Sequence, residues 1–99
     1  MRPYRLSARA VGDIARARDW YDRLREGLGD RFLDTVLAAV RTARERPNSC
    51  PKVEDGIRVI RCKRFPYRVY FETLAARIEV LAVYHTARNE RGWNAPNRP

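Results

Sequence analysis

The stretch RFPYRVYFETLAARIEVLAVYH, Arg64–His85, decides the fold. Within it, Tyr67–Glu72 alternates Tyr67, Val69 and Phe71 against Arg68, Tyr70 and Glu72, which is the period of a strand. Arg77–His85 is apolar on both faces, with Ile78, Val80, Ala82 and Tyr84 on one and Leu81 and Val83 on the other. A strand apolar on both sides belongs in the interior of its sheet. The short connection at Leu74–Ala76 predicts an antiparallel hairpin. Just upstream, Ile57–Lys63 is β-branched and basic by turns and reaches the next strand through Phe65-Pro66. Register in this strand is ambiguous, because Val59 and Ile60 are both apolar, and a bulge is one way to accommodate them.

Working outward, the N-terminal half is helical. A short strand at Tyr4–Leu6 precedes Ser7, a residue type that caps helices. From Ala8 to about Glu26, the positions Ile14, Ala17, Tyr21, Leu24 and Leu28 step by three and four and form one apolar stripe. Gly27 and Gly29 are expected to end this helix, and Asp30 to cap a second whose stripe is Leu33, Val36, Leu37, Val40 and Ala43. Pro47 stops it, because proline disfavours helical geometry in the residue before it. The connection Gly27-Leu28-Gly29 is short, so the helices should be antiparallel neighbours. Pro47–Gly56 reads as a loop and Thr86–Pro99 as a polar tail, loosely ordered over about 94–99. The expected architecture is α+β: an N-terminal strand, then a helical hairpin on one face of a three- to four-stranded antiparallel sheet, with the other face partly open.

Ninety-nine residues leave room for one modest core and no second domain, so residues 1–99 are read as a single domain. The longest apolar runs, such as Val36–Val40, are far shorter than the roughly 20 residues of a membrane span. The opening MRPYRLSARA has basic residues with no apolar segment behind them, so no secretory signal is expected. A reducing cytoplasm would then keep Cys50 and Cys62 as thiols rather than a bridge, and their spacing does not suggest zinc.

Charge is the strongest compositional signal. The chain carries 21 basic and 12 acidic residues, a net +9, which calls for an anionic partner. Residues 1–56 hold 12 basic and 9 acidic side chains, whereas residues 57–99 hold 9 and 3. On the first helix, Asp13, Asp19, Asp22 and Glu26 lie among arginines and read as a solvated face, with pairs such as Arg18–Asp22 and Asp19–Arg23. The second half concentrates Arg58, Arg61, Lys63, Arg64 and Arg68, followed by His85 and Arg88. Alternation puts Arg58 and Arg64 on one face and Arg61 and Lys63 on the other unless a bulge intervenes. Guanidinium groups projecting from a sheet face can fork onto phosphate or carboxylate, so Arg58, Lys63 and Arg64 are candidate target- or anion-binding residues. Tyr67, Tyr70 and Phe71 interleave with them and could stack on bases. His85 is the only histidine; such a residue is more often a structural hydrogen-bonder than a catalyst. Trp93 is either a packing anchor for the tail or a stacking surface.

A succession of segments now resembles a known family. Asp13-Ile14, Gly27-Leu28-Gly29 with Phe32-Leu33, RPNSCPKV (Arg46–Val53) running into Gly56–Arg58, RFPYRVYF (Arg64–Phe71) and VLAVYHTAR (Val80–Arg88) together are similar to the RelE/ParE superfamily of toxins from type II toxin–antitoxin operons. The resemblance implies a helical hairpin packed on a curved antiparallel sheet, and a cognate acidic antitoxin in a hetero-oligomeric assembly. For a cytoplasmic +9 protein such a partner makes electrostatic sense, since charge steers association while apolar anchors supply affinity.

Two activities follow from the resemblance. RelE-like members are metal-independent endoribonucleases acting on ribosome-associated mRNA. Carried over residue by residue, that reading would use Arg61, Arg68 or Arg88 on the phosphorane charge and His85 as general base. Val59, however, stands where such nucleases carry another lysine, and Trp93 near where several need a tyrosine. ParE-like members instead poison DNA gyrase and have no nuclease centre. The FPYRVYF strand and the YHTAR ending are closer to this branch, although Asn89-Glu90 stand where Asp-Pro is common. The sequence therefore favours a ParE-like growth inhibitor without a cofactor. A RelE-like ribonuclease is the alternative, and a non-toxic basic RNA-binding domain the third reading.

Overall fold

The computed structural model describes residues 2–54 and 56–87. In chain order the elements are β1 (Tyr4–Leu6), α1 (Ala8–Leu24), α2 (Leu28–Glu45), a short 3-10 turn at Pro47–Ser49, β2 (Lys52–Glu54), β3 (Ile57–Arg61), β4 (Tyr67–Thr73) and β5 (Ile78–His85). The sheet order is β1-β5-β4-β3-β2. The sheet thus has five strands rather than three or four, and it is mixed: β1 runs parallel to β5 while the other pairings are antiparallel. The added strand is β2, which lies inside the segment Pro47–Gly56 that reads as a loop. Three exposed residues, Lys52, Val53 and Glu54, carry too short an alternation to announce a strand. β5 is interior, as its two-sided apolarity requires, and β4 is the middle strand.

Ser7 caps α1, its Oγ accepting from the Ala10 N–H at 3.0 Å and donating to the Leu81 carbonyl at 3.0 Å. Ala10, Ile14, Ala17 and Tyr21 of α1 are buried, while Leu24 at the end of the expected stripe is 61% exposed. The turn into α2 is built differently from the expectation. Gly27 takes the left-handed conformation (φ 89°) as N-cap, and α2 begins at Leu28, so Gly29 lies in its first turn. A Cβ on Gly29 would stand 2.5 Å from the Arg18 carbonyl, so glycine is required there for the helices to approach. Asp30 is not the cap; Asp22 supplies that oxygen from α1, accepting the Gly29 N–H at 2.7 Å. α2 buries Phe32, Val36, Ala39, Val40 and Ala43, and turns Leu37 outward.

Both helices cover one face of the sheet. Tyr21, Phe32, Phe65 and Tyr67 form an aromatic cluster at one end of the interface, with Phe32–Tyr67 centroids 4.8 Å apart. Val36, Val40, Val69, Val80 and Val83 continue this core, and Ala43, Cys50, Phe71 and Ile78 close the other end. The register of β3 against β4 is unbroken from Ile57↔Glu72 to Arg61↔Arg68, whereas its pairing with β2 shifts between Lys52↔Arg58 and Glu54↔Ile57. A bulge also falls between β4 and β5, where Tyr70 pairs with Ala82 but Phe71 with Val80, leaving Leu81 extra. Ile78, Val80 and Val83 therefore face the helices, while Ala82 and Tyr84 join Tyr70 and Val59 on the opposite face. Cys50 and Cys62 are free and buried in separate clusters. Among the described residues, no helix is long and apolar enough to cross a membrane.

Candidate functional site

Strand pairing decides which basic residues meet. Arg61 of β3 and Arg68 of β4 are cross-strand partners, and Arg68 is opposite Tyr84 of β5 on the face away from the helices. At the other end of the same strands Glu72 pairs with Glu79, so this face is basic at one end and acidic at the other. Tyr84 is buried beneath the Arg9 guanidinium, 5.2 Å above its ring. Burial raises its phenol pKa, a rise that Arg9 opposes and Asp13 reinforces, so Tyr84 is a poor base near neutrality. Tyr70 and Phe71 are buried at 1% and 0% exposure, so neither ring offers a surface for a stacked base.

His85 does not join Arg61 and Arg68. The extra residue at Leu81 inverts the alternation ahead of it, and the imidazole lies on the helix side, 5.2 Å from the Tyr67 ring. Its Nδ1 accepts the Ala87 N–H at 3.0 Å. There it borders a groove against α1 with Asp13, Arg16, Ala17 and Trp20. The candidate set Arg61, Arg68, His85 and Arg88 is thus divided: Arg68 is on the face away from the helices, Arg61 reaches the α2 side, His85 borders α1, and Arg88 lies outside the described residues, as do Trp93 and the 94–99 tail.

Arg58 is committed to structure, its Nη1 donating to the Cys50 carbonyl at 2.6 Å and toward the Asn48 carbonyl at 3.5 Å. It ties the segment before β2 to β3. Lys63 and Arg64 sit in the turn between β3 and β4 and are exposed; Arg64 has a positive φ of 69°, rare for a side-chain-bearing residue. Arg61, Lys63 and Arg64 line a groove against α2 together with Asp34, Thr35, Ala38 and Thr42. No ion pair engages Arg61, Lys63, Arg64 or Arg68 among the described residues.

Sequence reasoning misplaced Asp13. It is not on a solvated face; its side chain is 2% exposed. Its Oδ2 accepts the Val83 N–H at 2.9 Å, while Oδ1 accepts from Arg9 at 3.3 Å and Arg16 at 2.7 Å. β1 pairs with β5 only as far as Val80, and Asp13 satisfies the β5 edge beyond it. The signal was available: Asp13 precedes Ala17 by four residues and so stands on the buried stripe. Asp19 pairs with Arg23 as expected, whereas Arg18 reaches Asp30, not Asp22, at 2.6 Å.

Burial pushes the Cys62 thiol up to about 12 and raises that of Cys50, so neither is a nucleophile near neutral pH. No three His, Cys, Asp or Glu side chains gather as a metal site among the described residues.

Fold and site together define a small α+β protein with a helical hairpin on one face of a mixed five-stranded sheet and basic side chains at the β3–β4 end. The family model of the ParE toxin of the type II toxin–antitoxin system, parDE, matches residues 4–90, and the chain belongs to that family. Among solved structures it is similar to a chain of the chromosomal ParDE toxin–antitoxin system from P. aeruginosa, with a TM-score of 0.75 and 17% identity over 86% of this chain and 96% of that one. No curated relative matches the sequence.

Proposed function

We propose that this ParE-family protein inhibits growth by binding an essential protein target such as DNA gyrase, and that a cognate acidic antitoxin neutralises it in the cytoplasm as a hetero-oligomer. The observation that carries this reading is the division of the candidate nuclease set: His85 borders the groove against α1, Arg61 the groove against α2, and Arg68 is on the opposite face of the sheet, paired with Tyr84. General-base catalysis needs the base within hydrogen-bond reach of the proton it takes, and a base beside α1 does not meet stabilisers beside α2 and across the sheet. Val59 on the Arg68 face adds an apolar side chain where a nuclease would want another cation.

Inducing the chain in a bacterium tests the proposal. The expected outcome is filamentation and a DNA-damage response with intact transcripts, relieved by co-expressing the antitoxin. Transcript cleavage that disappears on Arg68→Ala would instead establish the ribonuclease reading. Growth unaffected by induction would remove both.

A further inference from the structure

The groove between α1 and the end of β5 is away from the basic turn and encloses about 570 Å³, within the range of small-molecule sites. Asp13, Arg16, Ala17 and Trp20 line it from α1, on one stripe of that helix. Tyr67 of β4 and His85 of β5 line it from the sheet.

The hydrogen-bonding sense of this lining is one-sided. Both oxygens of the Asp13 carboxylate are taken, Oδ2 by the Val83 N–H and Oδ1 by Arg9 and Arg16. Arg16 gives Asp13 one Nη at 2.7 Å and keeps its other N–H groups, on a side chain that is 67% exposed. Because Asp13 is buried, it anchors this guanidinium at the groove. The His85 Nδ1 accepts the Ala87 N–H, which assigns the ring proton to Nε2 and makes that nitrogen a donor. Among the described residues the groove therefore offers donors and no spare carboxylate. Two arginines on one aspartate leave it net positive.

The second property is aromatic. Trp20 is 53% exposed, yet an edge-to-face contact with Tyr21 at 5.0 Å holds its indole. Tyr67 and His85 meet edge to face at 5.2 Å on the sheet side. Arg16 and Trp20 are four residues apart, so about 5–6 Å separates the cation's stem from that of the ring. The sugar of a mononucleotide sets base and phosphate apart on this scale. An anion without a ring would leave the indole unused, and an uncharged ring would leave Arg16 unused. A nucleotide engages both and carries acceptors at each end.

We infer that this groove binds a purine mononucleotide, with the base stacked on Trp20 and accepting the His85 Nε2–H at its edge, and the phosphate on Arg16. The inference is independent of which macromolecule the chain inhibits.

Equilibrium dialysis of the full chain against radiolabelled AMP tests it. Saturable single-site binding with a Kd below about 1 mM is expected. Trp20→Ala should weaken it roughly tenfold, and Trp20→Phe, which keeps a ring, no more than about threefold. Arg16→Gln should also cost roughly tenfold for AMP while leaving adenosine, which lacks the phosphate, within about twofold of its affinity for the parent. Arg23→Gln, elsewhere on α1, should stay within about twofold for AMP. Trp20 and Arg16 are exposed, and circular dichroism confirms that each variant folds before it is compared. No saturation by about 1 mM AMP would overturn the site. Equal losses in Arg16→Gln and Arg23→Gln would also overturn it, as would AMP binding that tripolyphosphate abolishes and Trp20→Ala does not change. Either result would leave only general attraction of anions to a basic protein. Because growth is not the readout, failure here leaves the toxin proposal standing, and a non-toxic chain that still binds AMP would sink that proposal alone.

Discussion

Two arginine-rich regions of this molecule treat their charge in opposite ways. On α1, Arg9 and Arg16 converge on Asp13, Arg23 pairs with Asp19, and Arg18 crosses to Asp30 at the start of α2. At the β3–β4 end, Arg31, Arg61, Lys63, Arg64 and Arg68 have no such partners among the described residues. The net charge of +9 is therefore not a uniform coat. Arg9, Arg16 and Arg18 of α1 are engaged in holding the helical hairpin to itself and to the edge of β5, while Arg31 of α2, the turn and the neighbouring strand ends keep theirs unpaired among the described residues. Even inside the basic half the distinction holds, since Arg58 is spent on the Cys50 carbonyl. Net charge steers association from a distance, whereas short-range contacts with a partner protein fall to unpaired cations.

The sharpest way to break this comparison is to remove the buried carboxylate on α1. Asp13→Ala returns the Arg9 and Arg16 guanidiniums to water and leaves the buried Val83 N–H without its acceptor. The expected loss is about 3 kcal/mol of unfolding free energy, read by urea denaturation. At the other end, Arg61→Gln and Lys63→Gln should change stability by no more than about 0.5 kcal/mol. A loss below about 1 kcal/mol for Asp13→Ala would mean the α1 charges are as dispensable to folding as the exposed ones.

Next in size is the helix–helix junction that positions Asp22 and Asp30. In Gly29→Ala the new methyl would meet the Arg18 carbonyl and the Asp22 carboxylate, and backbone cannot yield as a flexible side-chain end can. The helices must part, at a cost of about 2 kcal/mol. The same change at Gly27, where space is open, costs through its positive φ alone and should be the milder, at about 1 kcal/mol. Reversal of that order in thermal unfolding would show that the turn conformation, not the close approach, governs the hairpin.

How much of this was legible in the sequence depended on the length of the pattern. The long stripes of α1 and α2 and the two-sided apolarity of β5 each repeat often enough to fix an element. Three-residue β2 does not, and the pairing of β1 with β5 rather than a hairpin neighbour carries no local signal at all. The site suffered most from one residue. Counting alternation straight through Ile78–Tyr84 places Ala82 and Tyr84 with Val80, but the bulge at Leu81 moves them to the opposite face and carries His85 to the helices. All seven residues from Ile78 to Tyr84 except Glu79 are apolar, so neither face contradicts the wrong register. That Lys63 and Arg64 enter no ion pair among the described residues is a tertiary fact with no local signal.

Cys62 probes the same end from beneath. Its thiol is buried under the basic turn, and burial, not the nearby cations, sets its proton affinity, raising it from 9.0 to about 12. The folded state therefore holds the proton more tightly than the unfolded chain. Stability from this group is fully present below about pH 9 and is lost as pH rises toward 12. The burial-raised phenols of Tyr21 and Tyr84 act in the same direction. Over that window the slope attributable to one proton approaches about 1.4 kcal/mol per pH unit, and Cys62→Ala should flatten it. An unchanged alkaline slope in the variant would mean the thiol reaches solvent, and that the turn does not seal the core beneath it.

The smallest effect tests whether pairing alone distinguishes the two regions. Arg23 and Asp19 are both largely exposed, at 73% and 64% of their side-chain surface, so their pair is screened by water. Arg23→Gln should cost no more than about 0.5 kcal/mol, and half-molar salt should erase the difference from the parent chain. Asp13→Ala, whose lost carboxylate is 2% exposed, should keep most of its penalty at the same salt concentration. Salt thus separates a structural ion pair from one that merely neutralises an arginine. If the two penalties fell together, the ordering force on α1 would be long-range charge balance. The unpaired cations of the turn would then differ from the helix arginines only in lacking a neighbouring acid.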